Sequence, residues 1–283
     1  MTDVAPADTD DGAPAIHPLV ELMRGFVVDW LDRADVDACQ RIMDPGYTAV
    51  VGGVALRGRD EEYIPATSGQ LRRFPGLLVT VHDLFTSGEQ VALRFSEHGA
   101  AVERGGAHAA WAGIGIFCWD GSRLTSNVTE EDYLSRRRQL ATGSSDPVAT
   151  PATAPWSAWP EARRPGAEDA VRRWLAGGDL TAGGRVGLDD GWTGQPVPAL
   201  LDSEAVEIDT IFSAGPRVAF HATQRGRYAG GIGLPDEPVG ATASLRVCGM
   251  VTVDGSAISG HVVRDRVGLR RDLLPLVSPS VAS

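Results

Sequence analysis

An internal repeat is the feature of this sequence that most restricts its fold. Residues Phe26–Val36 align with Ala170–Leu180, which pairs Trp30 with Trp174 at an offset of 144 residues. Two later segments, 84–94 and 119–124, align in the same order with 211–221 and 253–258. Three matched segments in one order indicate two copies of one structural unit, the second of them shortened.

A proline-rich segment separates the two copies. Residues 141–166 contain five prolines and no regular hydrophobic period, which is typical of a linker. We expect its two tryptophans, Trp156 and Trp159, to lie against a domain surface. The whole chain of 283 residues is then predicted to divide into a disordered tail (1–15), a first domain (16–140), the linker (141–166), a second domain (167–275) and a C-terminal tail (276–283).

The hydrophobic pattern within the first copy predicts helices followed by strands. Apolar residues recur every three to four positions from Leu19 to Trp30 and predict an amphipathic helix, with further helices near 35–43 and 60–73. The period then changes to two. This predicts strands at 77–84, 90–97, 110–119 and 124–130. Such an order predicts an α+β fold with an antiparallel meander.

The strand at 110–119 is apolar on both faces. Trp111 and Phe117 alternate with Ala112, Ile114 and Ile116, so both faces need a packing partner. One partner is the domain interior, and the other is a second sheet. We expect the two copies to pack on each other as a pseudo-dimer, which predicts a monomeric chain.

Composition excludes several kinds of chemistry. All 26 basic residues are arginine, so Schiff-base, pyridoxal-phosphate and Ser–Lys mechanisms have no lysine to use. The net charge of −11 disfavours nucleic acid as a partner. Three widely spaced cysteines and the absence of metal-ligand or dinucleotide-loop spacings predict neither metal nor cofactor. With no membrane-length apolar run and an acidic N-terminus, we expect a cytoplasmic protein with no membrane partner.

Several motifs occur in a fixed order along both copies. They are Gly58–Asp60 at a helix start, Val81–Arg94 across a hairpin, Trp119–Leu124, Glu130–Leu140, and residues 253–269 in the second copy. This order resembles the SnoaL-like branch of the NTF2-like superfamily. The resemblance implies two tandem cone-shaped domains, each with helices packed in a curved antiparallel sheet around an apolar pocket. Polyketide cyclases, ketosteroid isomerases and epoxide hydrolases have this fold, as do pocket proteins without a known reaction.

Strand alternation selects the first candidate acid/base groups. Glu97 shares a face with Val91, Leu93 and Phe95, so its carboxyl is predicted to face the pocket and to have a raised pKa; the alternative is a merely solvated carboxylate. By the same alternation Asp83 faces the pocket. His98 is a further candidate if a bulge brings it to the pocket rim.

The resemblance implies an acid/base aspartate near the end of the last strand. Glu131 and Asp132 both fit that position, and Asp132 is the one that we adopt as catalytic. The alternative for Asp132 is a helix cap or an arginine partner. The residues predicted to bind the substrate are Tyr47, His82, Trp111 and Phe117.

These observations predict a cofactor-independent acid/base enzyme of small-molecule metabolism. It would cyclise, isomerise or open an epoxide of a hydrophobic, oxygenated substrate such as a polyketide or terpenoid. The competing prediction is a non-catalytic binding or scaffold protein with the same pockets. The second copy, with Asp209 and Asp265 near the corresponding positions, is expected to be scaffold.

Overall fold

The computed structural model of the chain describes residues 16–181, 185–189 and 197–276. The tail predicted at 1–15, and residues 277–283 of the predicted C-terminal tail, lie outside these residues. None of the helices within the described segments is both long and apolar enough to span a membrane.

The first unit consists of four helices and a six-stranded sheet. Its helices are α1 (Pro18–Arg24, continued by a π-helical segment, Gly25–Asp32), α2 (Val36–Ile42), α3 (Ile64–Arg73, preceded by a π-helical turn, Arg59–Tyr63) and α4 (Tyr133–Thr142). Its strands are β1 (Met43–Val51), β2 (Val54–Arg57), β3 (Leu78–Thr86), β4 (Gln90–Ala101), β5 (Ala107–Trp119) and β6 (Leu124–Glu131). All the helices and strands predicted from periodicity in this copy are therefore present.

Local sequence sets where the helices begin. The His17 imidazole accepts a hydrogen bond from the Leu19 amide, and Pro18 occupies the first helical position, where its missing N–H costs nothing. The Asp35 carboxylate caps α2 by accepting from the Ala38 amide. The Asp132 carboxylate caps α4 in the same way, through the Ser135 amide.

The first sheet has the strand order β2-β1-β6-β5-β4-β3. The pairs from β3 to β6 form the expected antiparallel meander, but β1 pairs with β6 in parallel, which the hydrophobic pattern does not predict. Between Val81 and Asp83 the pairing of β3 with β4 shifts register, and His82 is the extra residue of this β-bulge.

The second unit repeats this plan with fewer elements. It contains α5 (Pro165–Ala176), β7 (Val186–Leu188), β8 (Leu201–Ala214), β9 (Arg217–Tyr228), β10 (Thr242–Asp254), β11 (Ala257–Arg264) and α6 (Arg266–Leu273). The sheet order is β7-β11-β10-β9-β8, and β7 is parallel to β11 as β1 is to β6. Between α5 and β8 the described residues form no counterpart of α3. The α+β class and the division into two sheets, one for each copy, are thus confirmed.

Irregular details are duplicated as well as regular ones. The second sheet has its own bulge between Ile208 and Thr210, at the position equivalent to His82. Asp265 caps α6 through the Gly268 amide, as Asp132 caps α4. Because a bulge re-aims the side chains that follow it, its presence in both copies shapes the two sheets alike.

The helices cover one face of each sheet, and the other two faces pack on each other. The shared cluster contains Phe85, Ala92, Ile114 and Ile116 from the first sheet and Phe212, Ala214, Ala219, Cys248, Met250 and Val263 from the second. The strand that is apolar on both faces, β5, contributes Ile114 and Ile116 to this cluster. The expected packing of one copy on the other is therefore present within a single chain.

Buried polar contacts join the two sheets around this apolar cluster. His221 contacts Glu130 of the first sheet through Nε2 at 2.9 Å and Asp209 through Nδ1 at 2.8 Å. Arg266 donates to the buried Asp132 carboxylate across the same boundary. Buried charges are retained where they are paired in this way, so the contacts fix the relative position of the sheets.

The linker lies along the first unit, as expected. The Ala152 amide donates to the Val81 carbonyl at 2.8 Å, and the Glu161 amide donates to the Thr86 carbonyl at 3.1 Å. Trp156 packs against the core of the first unit. Trp159 was expected to be covered but is 57% exposed, although its ring contacts that of His17.

Removal of a large side chain from the shared cluster should destabilise the whole chain. Phe212 is fully buried, and its ring lies 5.5 Å from that of Phe85 across the boundary. Phe212→Ala is expected to lower the free energy of unfolding by about 3–5 kcal/mol in urea denaturation. Val239→Ala is the control, since Val239 is 65% exposed, and should change it by less than about 0.5 kcal/mol. A cost below about 1 kcal/mol for Phe212→Ala would contradict the packing.

Candidate functional site

A cavity of about 410 Å³ lies between the helices and the helix-covered face of the first sheet. Most of its wall is apolar and comes from the π-helical end of α1, the β1–β2 hairpin and the inner face of the sheet. The main apolar residues are Phe26, Leu31, Val51, Leu56, Val79, Leu93, Phe95 and Phe117. This volume lies in the range typical of small-molecule sites.

Two glutamates reach the cavity from neighbouring positions on the sheet. Glu97 stands opposite Trp111 in the pairing of β4 with β5, and Glu131 stands opposite Gly113 in the pairing of β5 with β6. Trp111 and Gly113 lie two residues apart and therefore on the same face. Both carboxyl side chains are buried and line the cavity.

Gly113 allows an aromatic ring to lie flat across this part of the sheet. A Cβ atom at this position would come within 2.3 Å of the Phe95 ring. The second unit has the same kind of contact two residues further along its sheet, where Gly249, the equivalent of Gly115, faces the Phe220 ring. Gly113 is thus required by a close approach, and it keeps the floor beside the two glutamates apolar.

Neutral donors hold the two carboxyl groups. The Trp111 indole Nε1–H donates to Glu131 Oε2 at 2.8 Å, and the Gln70 amide Nε2 donates to Glu97 Oε2 at 2.6 Å. The two carboxyls also act on each other electrostatically, since the negative charge of Glu131 raises the pKa of Glu97.

Burial raises the pKa of both carboxyls. The pKa of Glu97 is raised well above its usual value, first by burial and then by the negative charge of Glu131. The pKa of Glu131 is also raised by burial, against which the Trp111 N–H and the Arg136 charge act. Because two like charges in one buried site oppose each other's ionisation, the pKa of the pair is raised, and that of Glu97 is raised the more strongly of the two.

Arg136 supplies positive charge near the pair from α4. Its guanidinium lies 4.1 Å from the ring centroid of Tyr133, 4.9 Å from Trp111 and 5.5 Å from Phe74. These cation–π contacts hold the side chain beside the cavity. Its charge lowers the pKa of both Glu97 and Glu131 and so compensates part of the cost of burying a carboxylate.

A polar chain of side chains lies at another side of the cavity. The Tyr47 hydroxyl donates to Asn127 Oδ1 at 2.9 Å, and Asn127 Nδ2 donates to Thr129 Oγ1 at 2.7 Å. Asn127, Thr129 and Glu131 alternate along β6 and all line the cavity. Tyr47 is fully buried behind them and so orients Asn127 without lining the cavity itself.

Of the four acid/base candidates from the sequence, Glu97 alone lines the cavity. The expected orientation of Asp83 is wrong, because the bulge at His82 turns every later residue of β3 to the other face. The Asp83 carboxylate pairs with Arg217 of the second unit instead. No bulge interrupts β4, so His98 stays on the face opposite Glu97, where its Nε2 contacts Thr80 Oγ1 at 2.9 Å.

The choice of Asp132 as the pocket residue is wrong, and its open alternative, Glu131, lines the cavity. Asp132 caps α4 and accepts from Arg266, which is the structural alternative weighed for it. His82 also lies outside the cavity, bonded to the Thr150 carbonyl and Ser96. Of the other predicted binding residues, Phe117 lines the cavity, while Trp111 reaches its edge by bonding Glu131.

Sequence reasoning could have found Glu131 but not two of its neighbours. Asn127, Thr129 and Glu131 follow a two-residue period with the inward face of β6, and this signal selects Glu131 over Asp132. Gln70 and Arg136 lie on helices α3 and α4. No sequence motif determines which side of these helices faces the cavity, so these two residues could not be predicted.

The second unit has different residues at the equivalent positions. Gln224 and Leu245 occupy the places of Glu97 and Trp111, and Arg264 occupies that of Glu131. Arg264 is buried and bonds Asp189 at 2.8 Å, while the Gln224 amide donates to the Gly178 carbonyl. The carboxyl pair is therefore a property of the first unit.

Acidic and sulfur side chains do not gather into a metal site in the described parts of the chain. No group of three or more His, Cys, Asp or Glu residues there could hold a metal ion. Among the residues that line the cavity, the acidic ones are Glu97 and Glu131.

Comparison with known proteins gives one family and several structures of similar fold. Residues 24–127 match the family described as the SnoaL-like domain. A protein from Jannaschia sp. CCS1 named as a SnoaL-like polyketide cyclase is 18% identical, with a TM-score of 0.42 over 47% of this chain and 97% of that one. An LEH-like epoxide hydrolase from M. tuberculosis is 16% identical, with a TM-score of 0.39 over 47% of this chain and 91% of that one. IdmH from Streptomyces antibioticus, named as a polyketide cyclase, is 17% identical, with a TM-score of 0.39 over 43% of this chain and 96% of that one. No curated protein matches the chain significantly.

The raised pKa of Glu97 predicts a pH-dependent cost to stability. The unfolded chain releases the Glu97 proton in the ordinary carboxyl range, whereas the folded chain keeps it to higher pH, so stability falls as pH rises through that window. Glu97→Gln removes the ionisable group and keeps a similar shape. It is expected to raise the free energy of unfolding by about 1 kcal/mol at neutral pH and by much less near about pH 4.

Urea denaturation at the two pH values measures this effect. Glu103→Gln is the matched control, because Glu103 is exposed in the turn between β4 and β5 and should give no pH-dependent gain. A Glu97→Gln variant that is less stable than the unsubstituted protein at neutral pH would show that the Glu97 carboxyl is not held at a cost.

Proposed function

We propose that the first cavity performs acid/base chemistry on a small molecule. The starting point is the match of residues 24–127 to the SnoaL-like domain, which places this part of the chain in the NTF2-like superfamily. The observation that carries the proposal is the pair of buried glutamates with raised pKa values at the edge of an apolar cavity. Two carboxyls with one proton between them supply a general acid and a general base together, and neither needs a cofactor.

The environment of each carboxyl assigns its role. Glu97 has the more strongly raised pKa and is the proton donor. Glu131 accepts the Trp111 N–H and is the carboxylate that takes a proton. The indole N–H also fixes the direction of the Glu131 carboxylate, so that its second oxygen is available to the substrate.

Epoxide opening illustrates how the pair would work through one balanced step. Glu97 gives its proton to the epoxide oxygen as the C–O bond breaks. Glu131 takes a proton from the water or substrate hydroxyl whose oxygen forms the new C–O bond. Afterwards Glu131 is the acid and Glu97 the carboxylate, and return of a proton from Glu131 to Glu97 restores the starting state. Cyclisation or isomerisation through an acidic C–H uses the same two roles.

The cavity wall defines the substrate as hydrophobic and oxygenated. Leu93, Phe95 and Phe117 would hold an apolar skeleton, while Asn127 and Thr129 offer polar atoms to substrate oxygens. Polyketide- or terpenoid-sized molecules fit a volume of about 410 Å³. Arg136, beside the pair, would limit the charge that accumulates during proton transfer.

The second unit supports the first as scaffold in this proposal. Gln224 and Arg264 can neither donate nor accept a proton at neutral pH in the way that a carboxyl pair does. Its sheet covers the outer face of β5 and holds the end of β6 through the contact between Arg266 and Asp132. Glu131 immediately precedes this fixed residue on the chain.

Glutamine substitutions test the proposal on a panel of hydrophobic epoxides and hydroxy-epoxides of terpenoid size. Conversion is followed by mass spectrometry, and Glu97→Gln and Glu131→Gln are each expected to lower kcat/KM by at least about 100-fold. The rate of the unsubstituted enzyme should be bell-shaped in pH. It falls at low pH as Glu131 is protonated and at high pH as Glu97 loses its proton.

Two controls separate catalysis from binding. Glu103→Gln, in an exposed turn, should convert the substrate at the unsubstituted rate. Binding of the substrate, followed by tryptophan fluorescence, should survive Glu97→Gln. Saturable binding without conversion by the unsubstituted protein would favour the competing role as a binding protein, and unchanged conversion by both glutamine variants would refute the assigned acid and base.

A further inference from the structure

A second, much smaller space lies at the boundary between the two units, away from the cavity described above. This crevice has a volume of about 30 Å³. Its walls come from the outer face of the first sheet, from β11 of the second sheet and from the linker. The polar residues around it are His82, Arg94, Ser96, Asp189 and His261, and residues 147–149 of the linker cover it.

Arg94 is the positively charged group among the described residues that line this crevice. It projects from β4 on the face that packs against the second unit, and its side chain is largely withdrawn from solvent. The Nε atom is buried and has no hydrogen-bond partner among the described residues. An unpaired guanidinium in such a place is costly, and native structures normally compensate it.

The carboxylates nearest in the fold are engaged by other arginines. Asp83 stands opposite Arg94 in the pairing of β3 with β4, but its carboxylate pairs with Arg217. Asp189 borders the crevice, but its carboxylate accepts from Arg264. Among the described residues, the three guanidinium groups here therefore exceed the two carboxylates by one.

The hydrogen bonds of His82 define its protonation and that of Ser96. The Thr150 carbonyl can only accept, so the proton lies on His82 Nδ1, 3.0 Å away. Nε2 of the neutral ring then accepts from the Ser96 hydroxyl at 2.9 Å. If His82 gains a second proton, it donates to Ser96 Oγ and frees the hydroxyl proton of Ser96 for another acceptor.

Both imidazoles at the crevice are kept neutral by their surroundings. Burial lowers the pKa of His82, as do the charges of Arg94 and His98 across the strands. Burial and the Arg94 charge lower the pKa of His261 to about 4, while Asp83 opposes this. The positive charge at the crevice thus lies on Arg94. A negative charge placed beside Arg94 would offset its effect and raise the pKa of both His82 and His261.

We propose that the crevice binds a small monovalent inorganic anion of about the size of chloride, held by Arg94 with His261 and Ser96 beside it. One water needs about 10–15 Å³, so a volume of about 30 Å³ admits one such ion and excludes metabolite-sized ligands. The ion links both sheets and the linker. Binding of the ion is also coupled to proton uptake at His82. When His82 gains a proton and donates to Ser96 Oγ, the Ser96 hydroxyl is free to donate to the ion.

Thermal unfolding of the full chain tests the site with sodium chloride as the probe. Sodium gluconate replaces sodium chloride at constant ionic strength, so that general screening stays equal. We expect Tm to rise saturably with chloride by about 2–4 °C, and more at pH 6 than at pH 8. Arg94→Gln should abolish the rise, whereas Arg123→Gln, in an exposed hairpin turn, should retain it.

Bromide replaces chloride in a second measurement, which does not depend on how well the Arg94 variant folds. Crystals of the unsubstituted protein soaked in sodium bromide should show an anomalous peak within hydrogen-bonding distance of the Arg94 guanidinium. Bromide bound only at other places, equal Tm values in chloride and gluconate, or a full chloride response in a folded Arg94→Gln variant would each overturn the proposal.

Discussion

Two buried carboxyl groups with raised pKa values in an apolar cavity are the constraint around which the first unit is organised. Burial of Glu97 and Glu131 costs free energy, and the fold compensates this cost with neutral donors from Trp111 and Gln70 and with the charge of Arg136. Each of these groups comes from a different element of the fold. The cavity thus gathers buried carboxyls with raised pKa values, and such groups are common at functional sites.

Duplication explains how the first unit, which is about half of the chain, is stabilised around this site. The outer face of the first sheet is apolar, and the second copy covers it with its own outer face in a shared cluster. At the edges, Asp132 with Arg266 and Glu130 with His221 connect the copies next to Glu131. The second copy has Gln224 and Arg264 where the first has its glutamates, so the two copies have the same architecture with different chemistry.

The sequence predicted the fold well because periodicity and repeats report on burial, and burial determines which face of a strand or helix is apolar. Glu97 was found for this reason, since β4 is regular throughout. The prediction for Asp83 was wrong because one extra residue, His82, reverses which side chains of β3 face the cavity. No local sequence pattern indicates this bulge. Asp132 was preferred to Glu131 because a family resemblance leaves one residue of uncertainty, and one residue decides the face of a strand. The position of Arg136 beside the cavity depends on tertiary packing alone, so the sequence does not predict it.

The protonation of Glu97 is the central claim, and carbon-13 NMR of carboxyl-labelled glutamate measures it directly. The account predicts a glutamate signal that remains in the protonated position at neutral pH and is missing from Glu97→Gln. Glu130, whose pKa is also raised by burial, should keep its own signal in that variant. If the variant loses only a signal that titrates normally near about pH 4–5, Glu97 is an ordinary carboxylate and not the proton donor of the pair.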